Sequence, residues 1–301
     1  MRIVHIDTGE EMRGGQWQVL LLLEGLRTAG HESILLARED SPLWNAGKAA
    51  GFTVRAAQPK ELWQQSRKAA IVHAHDARAH TMAAIAARKF VVSRRVAFPV
   101  RKSVASIWKY QRATRFLAVS QFVARQLQSA GIRKEKIDVV YDGVETPSAL
   151  AEHWTPDYPA VALASEDVEK GRDLVEEAAL ITQIRVVFSE TLRDHLRRAS
   201  MFVYITRSEG LGSAVLLAMS MGVPVIASSV GGLTEVFADG ISGIFVKNEA
   251  QEIASAMRRV LSQPADTLRL IAQAKARIAE CFTRDHLVNG TIASYERALA
   301  G

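Results

Sequence analysis

The chain has 301 residues, 48% hydrophobic and 23% charged, the composition of a soluble globular protein long enough for two domains of about 150 residues. A single cysteine, Cys281, excludes an internal disulfide framework and a cysteine-built metal site, and fits a reducing cytoplasmic setting. The net charge of +6 is unevenly spread: residues 77–134 hold no Asp or Glu but 13 Lys or Arg, which points to an anionic partner for the first half.

The opening residues lack the basic-then-apolar order of a signal peptide, and 3–6 read as a strand. A polar loop over 7–15 leads to a helix with Val19, Leu22, Leu23 and Leu26 on one face and Gly30 as its stop. Residues 33–37, 69–74, 90–93, 115–120 and 137–140 read as strands, with helices predicted over 78–89 and 121–130. Turn chemistry from Tyr141 to about Pro159 predicts a linker. The pattern then restarts, with strands over 160–164, 184–188, 201–205, 223–227 and 243–246. Between them come helices over 171–180, 191–199, 213–220 and 233–238, and three more close the chain over 249–262, 266–281 and 284–299. Short apolar strands alternating with amphipathic helices predict an α/β protein whose parallel sheets carry helices on both faces. The apolar run 215–230 is interrupted by Ser220, Gly222 and Pro224 and falls short of the roughly 20 residues that span a bilayer.

The sharpest chemistry follows the strand over 201–205. Ser208-Glu-Gly-Leu-Gly-Ser opens a helix, and a strand, a glycine turn and a helix start together aim free amides and a positive dipole end at an anion such as a diphosphate. Gly210 and Gly212 let the backbone approach a ligand, although two glycines alone equally describe a tight turn. The longer run continues through Ala218-Met-Ser-Met-Gly-Val-Pro-Val-Ile-Ala-Ser-Ser-Val-Gly-Gly-Leu-Thr-Glu to Asp239-Gly-Ile-Ser-Gly-Ile-Phe-Val. From Ser208 to Val246 it closely resembles the donor-site region of glycosyltransferase family 4.

The resemblance implies the GT-B fold, two Rossmann-like doubly wound domains facing across a cleft. It implies an N-terminal acceptor-side domain over 1–147, a nucleotide-sugar donor domain over 148–283, and a terminal helix over 284–301 packing back toward the first domain. The implied activity is retaining transfer of a sugar from a nucleotide-sugar donor, a UDP-sugar first among them. The acceptor would be a glycan or lipid-linked molecule of lipopolysaccharide or polysaccharide biosynthesis. Gly14 and Gly15 match the family's first glycine loop, beside donor phosphates and acceptor. His75, closing Ile71-Val-His-Ala-His, takes the place of the histidine that faces the transferred sugar. Lys170 falls where a lysine contacts the diphosphate, Glu209 where a carboxylate positions the sugar, and Gly210, Leu211, Gly212 and Ser213 line the diphosphate. Phe116-Leu-Ala-Val-Ser-Gln and Val140-Tyr-Asp-Gly-Val-Glu are further family-like landmarks.

The departures are specific. The family's second motif glutamate, which binds the ribose hydroxyls, is replaced by Leu217, and its arginine before the lysine is missing from Ala164-Ser-Glu-Asp-Val. Between Leu180 and Ile184 a strand–helix unit is absent, so the second domain is expected to be abbreviated. The chain has no Asp-x-Asp, so no metal or other cofactor is expected. The positive field at the leaving diphosphate then falls to Lys170, the helix amides and an arginine of the first half. Arg94 and Arg95, at a strand end, are the candidates, unless they are solvated loop charges. Alternation puts His73 and His75 on one face, and with Asp76 they offer a weak zinc candidate. Glu235 reads as a helix first-turn carboxylate.

The basic stretch 77–134 is interleaved with Phe90, Phe98, Trp108, Tyr110 and Phe116, which suits peripheral binding at the inner face of an anionic membrane. Solvated helix faces are the plain alternative, and no nucleic-acid motif accompanies the charge. Two other functions fit the departures: a catalytically silent nucleotide-sugar-binding relative, and a nucleotide-sugar epimerase of the same fold. A Rossmann dehydrogenase is disfavoured, because Asp7-Thr-Gly-Glu-Glu-Met-Arg-Gly-Gly replaces Gly-x-Gly-x-x-Gly.

Overall fold

A computed structural model describes residues 1–100, 103–145 and 154–301. The predicted alternation folds as two compact units, Met1–Gly143 with Arg284–Gly301, and Val144–Thr283. The domain boundary predicted at 147/148 lies outside the described residues.

The first unit runs β1 (Arg2–Asp7), α1 (Gly14–Thr28), β2 (Glu32–Ala37), α2 (Pro42–Ala49), β3 (Thr53–Ala56), α3 (Pro59–Ser66), β4 (Ile71–Ala74), α4 (Ala77–Ala86). It continues with β5 (Phe90–Arg94), α5 (Val104–Arg112), β6 (Arg115–Ala118), α6 (Gln121–Ser129) and β7 (Ile137–Val139). All seven strands are parallel, in the order β3-β2-β1-β4-β5-β6-β7. The segment α2–β3–α3 and the helix α5 were not predicted: α2 and α3 are short and bury little, and the apolar stripe of α5 at Val104, Ile107 and Trp108 faces outward. Proline at the first turn and the Ser41 cap start α2, while β3 is an edge strand whose residues are alternately exposed. The central strands are apolar on both sides, as a sheet covered on two faces requires: Ile3, Leu35, Ile71, Val91 and Leu117 pack on the α1 side, and Val4, Ile6, Ile34, Leu36 and Val72 are buried on the other.

The second unit runs β8 (Ala160–Leu163), α7 (Arg172–Thr182), β9 (Val186–Ser189), α8 (Leu192–Leu196), β10 (Met201–Tyr204), α9 (Ser213–Met221), β11 (Val225–Ser228), β12 (Ile244–Val246), α10 (Ala250–Ser262) and α11 (Pro264–Cys281). Its five strands are parallel, in the order β12-β11-β10-β8-β9. The helix predicted over 233–238 is instead a 3-10 turn, Gly231–Glu235, because the Gly-Gly pair that opens it favours a tight turn over a helix. Glu235 therefore ends that turn, and its carbonyl accepts from Arg277 at 3.2 Å.

The last helix, α12 (Arg284–Ala300), belongs to the first unit, where Leu287, Val288, Tyr295 and Ala298 join the cluster around Leu22. Among the described residues, no helix is long and apolar enough to cross a membrane.

Candidate active site

In the first unit, β1 and β4 pair in parallel with His5 opposite His73, and the pleat brings His75 to the same face. The rings of His73 and His75 lie 4.0 Å apart, and His5 Nδ1 is 3.0 Å from His75 Nε2. Burial pushes all three imidazoles below their ordinary pKa, His5 to about 3, so they are neutral at pH 7.

Their protons follow from the neighbours. Arg95 Nη1 faces His75 Nδ1 at 3.4 Å, and Arg95 Nε donates to Asp142 at 3.1 Å. A guanidinium only donates, so His75 accepts on Nδ1 and donates from Nε2 to His5 Nδ1. His5 is then protonated on Nε2, a buried atom without a hydrogen-bond partner among the described residues. His73 is bonded at both nitrogens, Nδ1 to the Tyr295 hydroxyl at 2.7 Å and Nε2 to Ser93 Oγ at 2.8 Å. A polar cavity of about 10 Å³, room for one water, lies beside this network against Ser93, Arg95, Asp142 and Thr291.

Among the described residues, it is His5, His73 and His75 whose ligand atoms cluster, within 4.8 Å of one another. Asp76, the predicted third member, is elsewhere: it caps α4, accepting from the Arg78 and Ala79 amides at 2.7 and 2.9 Å and from the Thr8 hydroxyl at 3.0 Å. His5 escaped the sequence reading because it sits inside an ordinary strand, and only sheet register sets it opposite His73.

Gly14 and Gly15 open α1, and a Cβ on Gly15 would meet only Arg95 Cδ, at 3.9 Å, so Arg95 lies over the helix start. Neither arginine is a solvated loop charge. Arg95 is paired with Asp142, whereas Arg94 is the last residue of β5, donates to the Phe98 carbonyl, and has its pKa lowered by burial. Gln16 of α1 donates to Asp7, a buried carboxyl whose pKa burial raises.

In the second unit the chain leaves β10 through residues 205–212 and enters α9. The loop is fixed from below: the Thr206 amide donates to Ser228 Oγ at 2.9 Å, and Asn248 Nδ2 donates to the Thr206 carbonyl at 3.0 Å. It is fixed from the side as well. The Gly232 amide donates to the Glu209 carbonyl at 3.0 Å, and Gly231, at φ 53°, passes so close that a Cβ would collide with that carbonyl oxygen. Gly171, at φ 55°, lies against Ile205, and the Arg207 amide donates to the Glu169 carbonyl at 2.9 Å. These contacts deliver Lys170 to Glu209: Lys170 Nζ is 3.0 Å from Glu209 Oε2, and the Gly210 amide donates to Glu209 Oε1 at 3.0 Å. Tyr204, at the end of β10, donates to Glu209 Oε2 and receives Lys170 Nζ at 3.2 Å. Among the described residues none caps the start of α9 through its side chain, and its first turn holds no acid, so Gly212 and Ser213 begin a helix end that presents its positive dipole. Leu211 is buried; Leu217 lies half-buried on α9.

Helix α5 turns Val104, Ile107 and Trp108 outward, and Val96 and Phe98 before it are exposed too. Its cations lean on carbonyls: Lys109 Nζ on Ala77 at 3.3 Å, Arg112 on Ala84 and Ala87 at 3.3 and 3.0 Å. Carbonyls hold these charges without neutralising them. Arg101 and Lys102 lie outside the described residues.

Two family models match the chain: Glycosyl transferases group 1 over residues 159–277, and Glycosyltransferase Family 4 over residues 12–147. A D-inositol 3-phosphate glycosyltransferase of Geodermatophilus obscurus is 32% identical over 122 residues, 40% of this chain and 26% of the relative. One of Streptomyces avermitilis is 36% identical over 114 residues, 38% of this chain and 24% of the relative. The match thus spans about a quarter of these relatives' length. The fold is GT-B: Anabaena HepE, solved with UDP and glucose, superposes with a TM-score of 0.86 at 15% identity, covering 98% of this chain and 99% of that one. The lipopolysaccharide outer core galactosyltransferase WaaB superposes with a TM-score of 0.71 at 16% identity, covering 98% and 99%.

Proposed function

The chain belongs to the glycosyltransferases of group 1 and family 4, and we propose that it is a metal-independent, retaining hexosyltransferase using a nucleotide-sugar donor, a UDP-sugar first among them. The observation that carries this reading is the contact of Lys170 with Glu209, 3.0 Å apart beside the uncapped start of α9. When the bond from the sugar to the diphosphate breaks, charge grows on the departing oxygen. Lys170 and the amides at Leu211, Gly212 and Ser213 oppose that charge, and Glu209, held by the Gly210 amide, orients the sugar. His75 has both ring nitrogens engaged, so its contribution is to steady Arg95, the cation of the first unit; Arg94, beside Tyr110 and Lys109, is the second candidate. Gly14 and Gly15 leave the start of α1 open for donor or acceptor. Structures of HepE with UDP-glucose support the choice of donor class.

The acceptor is a glycan or a lipid-linked molecule of the cell envelope, met at the cytoplasmic face of the membrane. The exposed residues Val96, Phe98, Val104, Ile107 and Trp108, set among cations held by carbonyls, support docking on an anionic bilayer. Sedimentation with vesicles containing phosphatidylglycerol should carry the protein down, and neutral vesicles should not. Trp108→Ser with Ile107→Ser should lower the bound fraction several-fold; no binding to anionic vesicles would refute the docking face.

Release of UDP from a panel of nucleotide sugars tests the reaction itself, with Glu209→Ala as the control. Leu217 favours one competing reading, a silent binding relative, since leucine offers a ribose no hydrogen bond. Nucleotide binding without turnover would decide for it.

A further inference from the structure

Resting on the transferase reading, we infer that Tyr204 is a positioning residue for Glu209, holding that carboxylate in place when the donor diphosphate draws Lys170 away. Glu209 is oriented from three sides: Oε1 receives the Gly210 amide, and Oε2 receives both the Tyr204 hydroxyl and Lys170 Nζ. The three donors differ in what else they do. The Gly210 amide fixes one oxygen only. Lys170 is the cation of the cluster and goes to the diphosphate. The Tyr204 hydroxyl is the donor that stays with Oε2.

The chemistry of Tyr204 suits that task. A phenol offers one proton and accepts on oxygen. Here the proton goes to Glu209, and the oxygen receives Lys170 at 3.2 Å. Burial, and then the Glu209 carboxylate, hold the phenol pKa well above its ordinary value, so Tyr204 remains a donor throughout the working range. The side chain is also packed in place. It is 5% exposed, stands on β10 with its backbone opposite Ala227 of β11, and packs on Phe202 with ring centroids 5.7 Å apart. Lys170 Nζ lies 5.4 Å from the centre of the Tyr204 ring, so the same residue sets the resting position of the cation. A tyrosine five residues before Glu209, at a strand end, was visible in the sequence but gave no reason to single it out.

A hydrogen bond to a charged group carries enough free energy for about a tenfold to hundredfold effect in rate when it orders a group acting in the transition state. Tyr204→Phe keeps the ring and removes only the hydroxyl. UDP release by the wild type and by Tyr204→Phe, with the UDP dissociation constant of each, reads the role. We expect kcat to fall about tenfold to hundredfold, KM for the donor and UDP affinity to stay within about threefold, and the melting temperature within a few degrees. A wild type that turns over while the variant matches its kcat would overturn the positioning role. So would a variant that loses UDP affinity at unchanged kcat, since Tyr204 would then serve Lys170. A wild type without turnover on any nucleotide sugar would overturn the transferase reading and this role with it.

Discussion

Between pH 7 and pH 4.5 the first unit is expected to lose most of its stability. The cause is its buried imidazoles. His5 and His80 have pKa values of about 3 in the folded chain, from burial first and, for His80, the Lys109 charge second, whereas an unfolded imidazole titrates near 6.5. The folded pKa is lowered, so the unfolded chain takes up the proton first. The stabilisation is fully present above about pH 6.5 and is lost as pH falls toward 3. Each such group costs about 1.4 kcal/mol per pH unit in that window, so these two remove about 5 kcal/mol by pH 4.5. His73 and His75, lowered by the same burial, act in the same direction. Asp7, whose pKa burial raises, opposes them as a single group. A domain is typically stable by about 5–15 kcal/mol, so the loss is decisive. Tryptophan fluorescence reports it, since Trp17, Trp44, Trp63 and Trp108 are in this unit and only Trp154 is in the other. The midpoint of thermal unfolding should drop by roughly 10–20 °C, and His80→Leu should flatten the slope. A midpoint unchanged across that range would contradict the neutral, buried state of these rings.

The second large effect lies in turnover. Lys170→Met and Glu209→Gln should each lower the rate of UDP release about a hundredfold to a thousandfold, and the double variant should be little worse than either single one. Both side chains are partly exposed, at 26% and 18%, so their ion pair contributes about 1 kcal/mol or less to folding and the variants should remain folded. Losses that simply multiply would mean that the two residues act on the donor independently of one another.

Much of this was legible in the sequence where the signal is local. The strands β1, β4, β5, β6, β10 and β11 are short apolar runs, and α1 and α6 show a clean helical period, so each was visible without its neighbours. The loop of Glu209 and the glycines around α9 were legible because strand, turn and helix are consecutive. The rest depends on register and distant contact. His5 joins His73 only through sheet pairing, Tyr295 reaches His73 across 222 positions, and Asp142 reaches Arg95 across 47. The short helices α2 and α3 start at prolines and bury little, and the 3-10 turn at Gly231 imitates a helix start. Its purpose appears only in three dimensions, where Gly231 and Gly232 clamp the backbone of Glu209.

The central claim is that the cluster around Lys170 and Glu209 receives a nucleoside diphosphate sugar. The most direct measurement is thermal unfolding of the full chain across nucleoside diphosphates and their sugars, with 2′-deoxy-UDP beside UDP. A ligand at 100 times its dissociation constant adds about 2.7 kcal/mol, a rise of roughly 5–10 °C for a unit of this size. UDP or a UDP-sugar should produce that rise, Lys170→Met should lose most of it, and 2′-deoxy-UDP should match UDP because Leu217 offers the ribose nothing to bond. No rise with any nucleoside diphosphate, or an equal rise in Lys170→Met, would contradict the claim.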